Sequence, residues 1–289
     1  MILADISGAY DLHVHASPEL FPRLGDDLDM ARHAAEVGLA GLLIKNHCES
    51  TVGRARLAQK IIDGTKVFGG LVLNHFTGGI NPAAVEASLA LGAKQIWMPT
   101  IDAAAHGAVF GHLGGFGYQE SGLKLHRLGL SVLDDSGWLS EATKAIVELV
   151  RDAGAILGTA HLGREEIFAL AAFAGEMKLD KLLITHPEFN PPRLSLEDLK
   201  ALIHQGAWVE LCGGNLYPIP GQGRIDDYRG LVAELGARRI VLSSDAGQPR
   251  KSLPGEVLRI FAQCLLDKGV SQAEIDIMTK ENPARLLSV

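Results

Sequence analysis

The chain has 289 residues, of which 47% are hydrophobic and 21% charged, and a formal net charge of −7. This composition supplies a core and excludes a disordered chain, while the acidic balance argues against a nucleic-acid or anionic-membrane surface. Cys48, Cys212 and Cys264 are too few and too far apart for a disulfide framework. With no basic, apolar leader and no run long enough to span a membrane, they point to a cytoplasmic protein.

Eight short runs of nearly continuous hydrophobicity follow one another: "AYDLHVH", "AGLLIKNH", "KVFGGLVLNH", "AKQIWMPT", "AILGTAH", "KLLITHP", "AWVELCG" and "RIVLSSDA". Continuous rather than alternating apolarity is what a parallel strand covered on both faces requires. Between them lie stretches of helical period, such as "LDMARHAAEVG", "PAAVEASLALG", "SEATKAIVELVRDAG", "LEDLKALIHQG" and "DDYRGLVAELG". Asn81-Pro82 reads as a helix cap followed by proline in the first turn. Gly92, Gly154, Gly206 and Gly236, each followed by Ala, suit the left-handed position that closes a helix.

The runs end at His15, His47, Asn74, Thr100, His161, His186, Cys212 and Asp245, in steps of 25–33 residues except for one of 61. A βα unit needs about 30 residues. Eight units with one insertion predict an α/β chain forming a (β/α)8 TIM barrel, possible distortion included, as one domain over residues 1–289. An open doubly wound sheet is the alternative, since both alternate β with α. The insertion, residues 101–140, holds "AAAHGAVFGHLGGFGYQESG" and reads equally as a lid or as a surface excursion.

Barrel chemistry sits at the C-terminal ends of the strands, and there more than half of the eleven histidines gather. Residues i and i+2 of a strand share a face, so His13 and His15 point the same way, as do Lys45 and His47. Imidazoles from runs one, five and six (His161, His186) and the carboxylate of Asp245 from run eight can surround one point. Such ligands suit Zn2+, and also Mn2+, Fe2+ or Ni2+. A water bound there would become a nucleophile near neutral pH, with Asp245 taking its proton. His186 reads as a ligand or a substrate contact, and Lys45 as a catalytic group. Asn74, which ends run three, reads as a substrate contact, as do Arg23 and Arg164 after runs one and five; with Arg250 after run eight, these arginines suit an anionic group. His75, His106 and His112 are weaker candidates for the site; His33, His126 and His204 read as structural or solvent-facing. Cys212 reads as a buried thiol before a nucleophile.

The order His-x-His, His, His, Asp on runs one, five, six and eight resembles the amidohydrolase superfamily of metal-dependent hydrolases, as does the closing "ENPARLLSV". The resemblance implies that His13, His15, His161 and Asp245 are metal ligands, that His186 binds a second metal or the substrate, and that Asp245 is the general base. One feature departs from it. Binuclear members carry a carboxylated lysine or a glutamate at the end of strand four, where this chain has "WMPT"; a carbamate on Lys45, or ligation by His47, is a possible substitute. "DLHVH…GLLIKNH" is also similar to the polymerase-and-histidinol-phosphatase family.

Three functions follow. The first is a hydrolase using one or two metal ions to cleave an amide, lactone or ester-like bond of a small molecule, anionic ones included. The second is a phosphoesterase or decarboxylase on the same barrel, and the third a non-catalytic metal-binding protein. A homo-oligomer is expected, C2 dimers being the commonest assembly.

Overall fold

Eight parallel strands pair in chain order in the computed structural model, which describes residues 3–116, 128–216, 224–249 and 251–289. They are β1 (Tyr10–His15), β2 (Gly41–Lys45), β3 (Lys66–Val72), β4 (Gln95–Trp97), β5 (Ile156–Gly158), β6 (Leu182–Thr185), β7 (Trp208–Cys212) and β8 (Ile240–Ser243). The last strand returns to the first: Val14 bridges Ala246, and the His15 N–H donates to the Ala246 carbonyl at 2.8 Å. That return closes the barrel near its C-terminal mouth and rules out the open sheet. One irregularity lies in β1, where the pairing with β2 slips between Asp11 and Val14.

Helices wrap the strands: α1 (Asp27–Glu36), α2 (Val52–Gln59), α3 (Pro82–Ala90), α4 (Ala104–Phe110), α5 (Glu141–Asp152), α6 (Arg164–Glu176), α7 (Leu196–His204), α8 (Ile225–Leu235), α9 (Pro254–Asp267), α10 (Gln272–Asp276) and α11 (Asn282–Leu287). Most local signals act as the sequence predicts. The Asn81 side chain accepts from the Ala83 and Ala84 N–H groups ahead of α3. Gly92, Gly154 and Gly206 have φ of +100°, +61° and +100°, whereas Gly236 closes α8 at φ +75° and ψ +149°, outside the left-handed helical region. In α5, Ile146, Val147 and Val150 form the buried face. The "ENPARLLSV" segment forms α11, and the Asn282 amide anchors it by donating to the carbonyls of Ala237 and Ile240 at the start of β8. No helix of the described residues is long and apolar enough to cross a membrane.

Several strands stop before the polar residues that end the apolar runs. β2 ends at Lys45, β5 at Gly158 and β8 at Ser243, so His47, His161 and Asp245 lie in the turns beyond. Ala160, His186 and Asp245 have φ of +50°, +30° and +48°. A left-handed residue cannot continue a strand, and in a non-glycine it costs about 1 kcal/mol or more. The turns after β5, β6 and β8 therefore hold strained backbone beside or at the three candidate residues.

Inside the barrel, β4 contributes Trp97, fully buried. Room for it comes from two glycines. A Cβ on Gly70 would lie 2.6 Å from Trp97 Cζ3, and one on Gly158 would lie 2.7 Å from its Cδ1. The insertion follows β4 as expected, with α4 inside it and the bridges Ala103–Leu130 and Leu133–Leu139 tying down part of the remainder. Residues 117–127 of that insertion, with His126, lie outside the described residues, as does Arg250.

Candidate metal centre

His13 and His15, at i and i+2 at the end of β1, turn to one face and are buried. Asp245 closes the group from β8: its Oδ1 stands 3.3 Å from His13 Nε2 and 3.3 Å from His15 Nε2. One donor atom from each of the three residues falls within 4.8 Å of the others. Two ligands about 2.0–2.1 Å from a tetrahedral ion stand close to such a separation.

Hydrogen-bond partners identify the free nitrogen of His13. The Lys45 ammonium, buried at the end of β2, donates to His13 Nε2 at 3.0 Å. Nε2 is therefore the lone-pair nitrogen, and Nδ1–H donates to Glu210 Oε2 at 3.3 Å. Glu210 lies on β7 and accepts at its other oxygen from the Ser243 hydroxyl, at 2.8 Å. The bare Nε2 of His13 thus faces the Asp245 carboxylate, an arrangement that favours a cation between them. Lys45 brings an ammonium to that place. The donor set, two imidazoles and a carboxylate around a cation-seeking point, fits a divalent metal.

A second group adjoins the first. The ring of His47 lies 4.9 Å from that of His15, and Glu19 connects them, standing 3.6 Å from His15 Nδ1 and accepting from the His47 N–H at 2.8 Å. Arg23 holds Glu19 through Nε at 2.7 Å and Nη2 at 2.5 Å, and its Nη2 lies 3.3 Å from His15 Nδ1. His186 and His161 approach from the other side, with ring centroids 5.8 Å from His13 and 5.2 Å from each other respectively. His186 Nδ1 is buried without a hydrogen-bond partner, a costly condition for a polar atom that a ligand would relieve.

Burial dominates the electrostatics. It pushes His13, His47 and His161 well below the usual histidine range, and His186 down to about 3, so these imidazoles are neutral and can coordinate. Burial also lowers Lys45 and raises Glu210 to about 7. For Asp245, burial opposes ionisation, but the facing Lys251 cation and a hydrogen bond from His15 overcome it and hold the carboxyl well below its ordinary value. Burial pushes the Cys212 thiol well up, which leaves no thiolate for a nucleophilic role.

Of the candidates read from the sequence, His13, His15 and Asp245 meet within 4.8 Å, as do His15 and His47 with Glu19; Lys45 and Arg23 contact these imidazoles, while His186 and His161 adjoin them by ring contact and share no such group among the described residues. Asn74 and Arg164 do not join them. Asn74 is a brace: its Oδ1 accepts from the Thr100 and Asp102 N–H groups, and its Nδ2 donates to the His47 carbonyl and the Thr100 hydroxyl. It ties the ends of three successive strands together. Arg164 starts α6, pairs with Asp198 at 2.5 Å and lies over the Phe168 ring. That hydrogen bond holds the Asp198 carboxyl down at about 2. The pair's small contribution to stability is therefore present at neutral pH and lost only as the pH falls through that value. Arg164→Ala is expected to leave metal content unchanged while the Asp198 carboxyl rises toward its usual range, read by NMR titration.

Sequence reasoning missed Glu19, Glu210, Lys251 and the part played by His106. Glu210 had a readable signal, as the one charge inside the apolar run "AWVELCG". Glu19 had none, because only the fold of the β1 loop carries it back to His15. His106 Nδ1 contacts His161 Nδ1 at 2.9 Å, and Phe116 packs near His47, His106 and His161. His75 turns outward instead, to the Leu128 carbonyl.

Known proteins share this architecture. An amidohydrolase from Pseudomonas aeruginosa superposes with a TM-score of 0.63 at 15% identity, covering 97% of this chain and 95% of that one. The probable dipeptidase PvdM from Pseudomonas aeruginosa gives 0.65 at 14%, over 96% and 94%. The organophosphorus hydrolase from Deinococcus radiodurans gives 0.59 at 14%, over 99% and 94%. At such identities the likeness is one of fold, a (β/α)8 barrel. No curated protein matches the sequence. A family model does match, over residues 8–210 and hence more than half of the chain, and the chain accordingly belongs to the family of unknown function DUF6282.

Proposed function

We propose that this chain is a metal-dependent hydrolase that cleaves an amide, lactone or ester-like bond of a small molecule. The observation that carries the reading is the meeting of His13, His15 and Asp245 within 4.8 Å at the mouth of the barrel. These three would hold the ion, with His161, His186 and His47 as the further donors available to one or two ions. Zinc is the first candidate, since imidazole and carboxylate suit it. When bound, such an ion polarises the scissile group and makes water a better nucleophile.

The chain's own residues supply the rest. Asp245, ionised at neutral pH, takes the proton of the attacking water at its carboxylate and returns it to the leaving group. Lys45 brings a positive charge to the negative charge that develops on the substrate oxygen. Lys251, 3.2 Å from the Asp245 carbonyl oxygen, adds a second cation and favours an anionic substrate. His186 contacts the substrate or donates a nitrogen to the ion. Arg23 fixes Glu19, and through it His15. Trp97, Phe21 and Phe116 border the site and limit water.

Elemental mass spectrometry on protein purified without chelator, wild type and His13→Ala, tests the reading beside a panel of amide, lactone and aryl phosphate substrates. The expected result is at least one equivalent of metal, lost in the variant, with turnover of an amide or lactone. Metal retained by His13→Ala would remove β1 from the centre. Turnover confined to the aryl phosphate would replace the hydrolase with a phosphoesterase.

A further inference from the structure

The imidazole of His106, inside the insertion, is fully buried and lies against His161. Its Nε2 stands 2.6 Å from the Gly115 carbonyl oxygen, and its Nδ1 stands 2.9 Å from His161 Nδ1. The two rings are nearly parallel, at 18°, with centroids 5.0 Å apart. That separation falls just short of the nitrogen contact plus the two ring radii, so the nitrogens face each other close to the line joining the rings.

The proton positions then follow by elimination. A carbonyl oxygen only accepts, so His106 Nε2 carries a hydrogen. Both rings are buried, His106 completely, and burial of an imidazole disfavours the charged form that a second proton would create. His106 Nδ1 is therefore an acceptor, and His161 Nδ1 must be the donor. That leaves His161 Nε2 bare. Phe110 lies 4.4 Å from the His106 ring and Phe116 stands edge-on at 5.2 Å, so apolar surface borders the pair.

We infer that His106 is a positioning residue: the relay Gly115 carbonyl, His106, His161 locks His161 in the tautomer whose Nε2 lone pair is free for a ligand. The insertion thereby sets the chemistry of the β5 histidine. Partners of this kind fix ring orientation and tautomer, and their loss costs about 10- to 100-fold in metal affinity. This consequence rests on the metal-hydrolase reading; the tautomer itself does not.

The test is long-range proton–nitrogen correlation NMR on metal-free, nitrogen-15 histidine-labelled protein. Wild type is expected to show His161 with its proton on Nδ1 and a bare Nε2. His106→Phe keeps a buried ring but offers no nitrogen, and is expected to move His161 toward the Nε2–H form or a mixture. In His106→Asn a side-chain oxygen replaces the acceptor, and this variant is expected to restore the wild-type tautomer. Should His106→Phe fail to fold, His106→Ala is read against His106→Asn instead. A His161 proton on Nε2 in wild type, or a tautomer unmoved by loss of the acceptor, would overturn the relay. Zinc titration of the same samples is expected to weaken about 10- to 100-fold in His106→Phe and to recover in His106→Asn. A protein showing the expected tautomers but binding no zinc would sustain the relay while removing the metal reading.

Discussion

Replacing Asp245 with Asn is expected to lower kcat by about 10²- to 10⁴-fold on whichever substrate the wild type hydrolyses, the span that a positioned general base contributes. The substitution is chosen for its backbone. Asp245 sits at φ +48°, a left-handed conformation that Asn tolerates and most residues do not. The variant should therefore fold and keep its volume while losing the carboxylate charge that serves both the ion and the proton, so its metal content is measured beside its kinetics. In the wild type the carboxylate is held ionised against its own burial by Lys251 and a hydrogen bond from His15, so it is available as a base throughout the neutral range. Steady-state kinetics beside circular dichroism check the expectation. Undiminished turnover in a folded Asn variant would take Asp245 out of the proton path.

The second large effect belongs to the closure of the barrel. Gly247 follows the strained Asp245 turn at φ +123°, and a Cβ there would lie 2.0 Å from the His15 carbonyl oxygen. The Gly247 carbonyl meanwhile accepts from the Leu24 N–H at 2.8 Å. Backbone cannot retreat on either side without moving His15, Asp245 or the loop that carries Glu19 and Arg23. Gly247→Ala is expected to destabilise the fold by roughly 3–5 kcal/mol, to lower Tm by on the order of 10 °C and to strip the protein of metal. Gly236→Ala is the control. It too has a positive φ, +75°, but open space around the added methyl, so it should cost the backbone strain alone, about 1–3 kcal/mol. Equal melting temperatures for the two variants would show that contact with His15 does not hold the closure.

Read along the chain, much of this was legible. Continuous apolar runs at βα spacing imply eight parallel strands, because a strand buried on both faces has no polar side to display. The i, i+2 spacing of His13 and His15 puts both on one face whatever the rest of the fold does. Helix ends at Gly154 or Asn81 are local matters of φ and capping. The contacts that give the centre its character were not legible, since they join residues distant in sequence: Glu210 to His13 across the barrel, and Glu19 back from a loop. The relay through His106 depends on how an insertion folds over its neighbours. The same reasoning separates Arg164 from the site. Its position after β5 marks it as a candidate, and only the fold shows the side chain turned outward to Asp198. Residue type and period, which the sequence determined, say which strands carry polar ends; which of those ends meet, and which nitrogen of each imidazole is left bare, depends on long-range packing and was decided by the tertiary structure alone.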